Sequence, residues 1–168
     1  MRRSKIAFIG LLAAALAAVV LVAVVALLPG GSEPLTAARL ETARQRWRAA
    51  GIRNYEMELE TSGAQTGRYV VRVKDGSVVS LARDGHVENP SEKELWSVDG
   101  LFRTLERELG NAEHPEKIYG VAPGTQVLLR MRSDPRLGYP LFFSRYVMGT
   151  NKSVTIRTVR LTPLGRSH

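Results

Sequence analysis

The sequence predicts an α+β domain behind an N-terminal transmembrane helix: helix, three strands, helix, three strands. The strands are expected to form one antiparallel sheet of about six strands with both helices on one face. Three observations carry this. Residues 6–28 (IAFIGLLAAALAAVVLVAVVALL) contain no charged or polar side chain. Two later segments repeat apolar residues at helical spacing, and the runs between them alternate apolar with polar residues and are punctuated by turn signals.

The apolar run comes first. A helix rising ~1.5 Å per residue needs about 20 apolar residues to cross a bilayer's hydrocarbon core. Arg2, Arg3 and Lys5 precede the run, and Glu33 appears before the first downstream cation, Arg39. That asymmetry makes residues 1–5 a cytoplasmic tip and residues 6–28 a single-pass anchor, with everything downstream outside the cytoplasmic membrane. Export after cleavage is the alternative, but a signal's apolar region usually spans only about 7–15 residues. Residues 29–34, opening Pro29-Gly30-Gly31-Ser32, read as a linker. Residues 35–163 read as the extracytoplasmic domain and 164–168 as a tail.

The first helix of that domain is expected from about Pro34, with Thr36, Leu40, Ala43, Trp47 and Ala50 on its apolar stripe and Gly51 as its stop. Tyr55 to Glu60 then alternates without a break, and Arg68 to Lys74 nearly so. A tight connection sets Glu60 opposite Arg68, Glu56 opposite Arg72, Leu59 opposite Tyr69 and Met57 opposite Val71, so faces and charges agree in one register. Asp75-Gly76 predicts a hairpin into Ser77–Ala82. A one-residue bulge there would align Val73 with Val79 and Val71 with Leu81. Residues 84–94 read as loop. A second helix is expected from a cap at Ser97 or Asp99, with Val98, Leu101, Phe102, Leu105 and Leu109 inward and Gly110 at its end. Residues 111–124 read as irregular, followed by strands over 126–132, 141–147 and 153–161.

The run Trp47…Gly51-Ile52-x-x-Tyr55, Val73-x-Asp75-Gly76-x-Val78, Val98-Asp99-x-Leu101-Phe102 and Asp134-x-x-x-Gly138-Tyr139-Pro140 resembles a bacterial family of exported or membrane-anchored domains, the domain-of-unknown-function family 6174. The resemblance runs from about Trp47 to the last strand. It implies fold and location and carries no activity. The chain departs from it at Thr61-Ser62-Gly63-Ala64, where many members have a cysteine pair.

Composition narrows the chemistry. The absence of cysteine rules out disulfides, thiol catalysis and cysteine-ligated metal. Net charge is +8; three of the cations precede the apolar run, which leaves +5 beyond it. Such a balance suits anionic lipid or an acidic envelope polymer, but ordinary surface charge in an Arg-rich proteome is the favoured explanation; the expected compartment excludes nucleic acid. His86, His114 and His168 stand alone, without the i+3 or i+4 partner of a helical metal site. No nucleophile elbow, phosphate loop or zincin motif occurs, so no catalytic, metal or cofactor residue is assigned. Glu56, Glu58 and Glu60 form an acidic row that cross-strand arginines neutralise. The stretch SDPRLGYPLFF (133–143) reads as a stiff corner rather than a presenting loop, since Pro135, Gly138 and Pro140 each answer a turn requirement.

The expected function is a non-catalytic binding or structural module of the cell envelope that contacts the membrane through residues 6–28 and an envelope protein, polymer or lipid through its domain. Arg68, Arg72, Arg130, Arg132 and Tyr139 are the candidate contact residues. The competing reading is an envelope hydrolase with an unrecognised site, around Glu58 and residues 111–124.

Overall fold

The computed structural model describes residues 31–63 and 65–165. The expectations for residues 1–5 and for the apolar run 6–28 lie outside them. No helix among the described residues is long and apolar enough to cross a membrane.

The described chain forms one antiparallel sheet of eight strands in the order β1-β6-β7-β8-β2-β3-β4-β5. The central strands are β2 (Tyr55–Ser62), β3 (Gly67–Lys74), β4 (Ser77–Arg83), β6 (Val127–Ser133), β7 (Pro140–Val147) and β8 (Val154–Pro163). These correspond to the six expected runs. The two additional strands lie at the edges: β1 (Glu33–Pro34) beside β6, and β5 (His86–Glu88) beside β4. Both are too short to show alternation, β1 pairing with a strand distant in sequence and β5 folding back on β4 across Asp84-Gly85, so periodicity read them as linker and loop. Short edge strands also limit the unpaired backbone a sheet offers to other chains.

The β2–β3 register is the expected one, Tyr55 opposite Val73 through Glu60 opposite Arg68. The Asp75-Gly76 hairpin does carry a bulge. It sets Val71 against Leu81 as expected, but Val73 against Val78 rather than Val79. Val79 is the extra residue, more than half exposed.

Helix α1 (Ala37–Ala50) starts later than Pro34, because Pro34 is held in β1 and Thr36 takes the cap, its hydroxyl accepting from Arg39 N–H. Gly51 closes it in the left-handed conformation (φ 62°). Helix α2 (Val98–Glu113) is capped by Ser97, whose Oγ accepts from Gly100 N–H at 3.0 Å. It runs past Gly110 because Ala112, two residues on, packs against the core. The stretch expected to be irregular contains a short helix, α3 (Pro115–Tyr119), and a 3₁₀ turn at Lys93–Trp96 precedes α2.

The core lies between the two long helices and one face of the sheet. Trp47 of α1 meets Tyr55 of β2 edge to face, centroids 5.5 Å apart. Tyr55 is 2% exposed, and its hydroxyl accepts the first N–H of α2, Val98, at 2.8 Å. One side chain thus joins helix α1, the sheet and helix α2. Burial drives its phenol pKa upward, which keeps it neutral.

Candidate functional site

Antiparallel register with a two-residue side-chain period decides what the helix-free face of the sheet displays. Glu56, Glu58 and Glu60 of β2 share it with Arg68 and Arg72 of β3, Arg157 and Arg160 of β8, and Arg130 and Arg132 of β6. Arg72 reaches Glu56 at 2.8 Å. Arg68, although opposite Glu60 in register, crosses diagonally to Glu58 at 2.8 Å, while Arg160 holds the other oxygen of the same carboxylate. Glu58 lies opposite Val70, so its nearest cations on β3 are diagonal neighbours within reach of a long side chain. The bonds from Arg68 and then Arg160 hold its carboxyl below the usual range. The acidic row is therefore largely occupied by arginine.

The four candidate arginines share this face, but in different company. Arg68 and Arg72 are in ion pairs. Arg130 donates through Nε to Ser32 Oγ at 3.1 Å and through Nη2 to the Ser32 carbonyl, fastening the chain just ahead of β1 to the sheet. Arg132 is half-buried next to it. Exposed Leu128 and its cross-strand neighbour Tyr146 add an apolar patch on the same face.

Tyr139 is not with them. Its corner is closed by Asp134, whose carboxylate accepts from Arg136 and Leu137 N–H at 2.9 and 2.7 Å. Gly138 (φ 85°) presses on α1 so closely that a Cβ there would sit 2.2 Å from the Ala43 carbonyl oxygen. The Tyr139 ring packs edge to face on Trp47, centroids 6.3 Å apart. The corner stiffens the strand connection and docks it on helix α1.

A second assembly was not among the sequence candidates. Glu108, 7% exposed, projects from α2 toward the sheet. Arg145 of β7 meets its Oε1 at 2.8 Å, and the Tyr119 hydroxyl donates to Oε2 at 2.7 Å. The Arg145 guanidinium also lies 4.8 Å from the centroid of the Tyr119 ring, a cation–π contact. Burial, followed by the bond to Glu108, pushes the Tyr119 phenol up to about 12. The phenol therefore remains a donor at neutral pH. Lys152, from the β7–β8 loop, donates to the Tyr119 carbonyl. Beside these groups lies a hollow of about 490 Å³, bordered by Ile118, Tyr119, Arg145, Asn151, Lys152 and Val154. Glu108 is not in its wall.

A signal for this assembly was present in the sequence. Glu108 falls on the stripe of Leu101 and Leu105 at helical spacing, and Arg145 sits between Phe143 and Val147 on an alternating strand. Each is a charge at a core position. Only the fold reveals that the two charges belong together.

Among the described residues no group of His, Cys, Asp and Glu could hold a metal ion. His114 Nδ1 lies 3.8 Å from Glu116 Oε1, with no third ligand beside them among the described residues.

A family model described as a family of unknown function (DUF6174) matches residues 39–119, so the resemblance read from the motifs holds over that stretch. It begins earlier than Trp47, takes in helices α1 to α3 with β2 to β5, and stops before the Gly-Tyr-Pro corner, β6 and Arg145. No curated protein matches the chain.

Proposed function

We propose that the chain is a membrane-tethered, extracytoplasmic binding module of the cell envelope. In this reading residues 6–28 anchor it in the cytoplasmic membrane, and the helix-free face of the sheet meets an anionic polymer or lipid surface. The observation that carries the reading is that face itself. It is uncovered by either long helix and presents Arg68, Arg72, Arg130, Arg132, Arg157 and Arg160 against only Glu56, Glu58 and Glu60. Two of the three carboxylates are already paired, so the remaining field is positive. Binding is favoured over catalysis because the carboxylates that would serve as acid and base, Glu56, Glu58 and Glu108, are each held by arginine.

The chain's lack of cysteine makes topology directly readable. Glu92→Cys on an exposed turn places a single thiol in the domain. In intact cells it should react with a membrane-impermeant maleimide, and reaction only after lysis refutes the proposed topology. Retention of the domain on anionic vesicles or acidic wall polymer should fall steeply as salt rises and the Debye length contracts from ~10 Å at 0.1 M to ~3 Å at 1 M. Salt-independent retention removes the electrostatic role of the face.

A further inference from the structure

We propose that the open face of the sheet carries a saccharide subsite, centred on Arg157 and Glu60, for a uronate unit of an acidic polysaccharide. The proposal rests on the reading of that face as an anion-binding surface and names its ligand.

Register places five side chains on one row across the strands, from β6 to β3: Arg132, Phe142, Arg157, Glu60 and Arg68. Neighbouring strands lie ~4.8 Å apart, so arginines recur about every 9.6 Å along the row. An extended polymer lying across the strands meets one of these groups at each strand.

Arg157 and Glu60 stand directly opposite each other and are both exposed. Neither makes a side-chain hydrogen bond or ion pair among the described residues. Elsewhere on this face the unlike charges close on each other, as Arg72 does on Glu56 at 2.8 Å. A cation and a carboxylate left open side by side fit a ligand that carries both a carboxylate and hydroxyls. The Arg157 fork donates to the ligand's carboxylate, and Glu60 accepts from a neighbouring hydroxyl.

The surroundings suit a sugar. Ser62 Oγ donates to Thr155 Oγ1 at 3.0 Å, which leaves the Thr155 hydroxyl proton to donate outward. Arg68 uses one of its five N–H donors on Glu58. Together with Thr66 these groups border a shallow hollow of about 530 Å³, within the ~300–1,000 Å³ usual for small-molecule sites. On the other side of Arg157, half-buried Phe142 offers an apolar surface to the C–H face of a sugar ring. A polyanion without hydroxyls uses the arginines alone and is repelled by Glu60.

That repulsion supplies the test. The full-length protein in neutral detergent is titrated calorimetrically with oligogalacturonate, with oligoglutamate of equal length and with anionic vesicles. Oligogalacturonate should bind more tightly than oligoglutamate. Arg157 and Glu60 are exposed and unpaired, so their alanine variants should fold normally. Arg157→Ala should weaken oligogalacturonate roughly tenfold, the scale of one charge-assisted hydrogen bond. Glu60→Ala should weaken oligogalacturonate yet tighten oligoglutamate. Equal affinity for the two polymers, or tightening of both by Glu60→Ala, overturns the saccharide subsite and leaves the positive face standing. Binding to vesicles but to neither polymer also overturns it and assigns the face to lipid. Binding to none of the three removes the subsite and the anion-binding face together.

Discussion

Glu58 and Glu108 are each carboxylates gripped by two partners and each mostly covered, their side chains 14% and 9% exposed; they differ in how exposed their partners are. Glu58 lies on the open sheet face between Arg68 and Arg160, whose side chains are 57% and 64% exposed, so water competes for both cations. Glu108 lies under α2 between Arg145 and Tyr119, largely out of water's reach. In the first place charge is displayed. In the second it is sealed in, and every partner becomes obligatory because nothing else can compensate a buried ion.

The largest expected effect breaks the sealed pair. Arg145→Met leaves Glu108 buried without its cation and should cost about 3–5 kcal/mol, read as a lower urea midpoint. Adding Glu108→Leu should recover much of that loss, since an apolar pair of similar volume is often neutral or stabilising. If the double variant is no better than the single one, the pair serves something other than charge compensation.

Next comes Tyr119→Phe, which removes one hydrogen bond to the buried carboxylate at a cost of about 1.5–3 kcal/mol. The same residue predicts alkaline behaviour. Its phenol pKa rises on folding from 10.0 to about 12, so its contribution is complete below about pH 10 and is lost as pH climbs through 12. Tyrosinate absorbance should show a late-ionising fraction that shrinks in Tyr119→Phe. An unchanged titration places that fraction elsewhere.

The smallest effect is on the open face. Glu58→Gln should lower the melting temperature only slightly, and the difference should fade with added salt. The folded-state carboxyl lies below its ordinary range, so whatever it contributes is present near neutrality and disappears as the medium is acidified through that lowered value. A large, salt-insensitive loss would move Glu58 into the same class as Glu108.

Much of the fold was legible in advance because independent signals coincided. The β2–β3 register was readable since apolar residues and opposite charges favoured the same alignment, as Tyr55 opposite Val73 and Glu56 opposite Arg72 now show. The Gly138-Tyr139-Pro140 corner was readable because turn chemistry is local. Edge strands β1 and β5 were not, since two or three residues carry no period and their stability comes from β6 and β4. The continuation of α2 through Gly110 was missed for a related reason: a local helix-breaking signal yielded to the packing of Ala112. The candidate site divides the same way. Arg68, Arg72, Arg130 and Arg132 of the open face were read from strand alternation, but Arg157 and Arg160 were not among the candidates, and Glu108 and Arg145, 37 residues apart, were not recognised as partners.

By itself the sequence determined an α+β domain, six of the eight strands, both long helices, and which sheet face would be charged. These follow from periodicity and turn chemistry, which act over a few residues. Tertiary structure alone decided that Arg68 crosses to Glu58, that Tyr139 lies against Trp47, and that two core-position charges meet beneath α2 beside a cationic hollow. The physical reason is range: a side chain's partner depends on which distant segment the fold brings within hydrogen-bonding distance, and local patterns do not encode that distance.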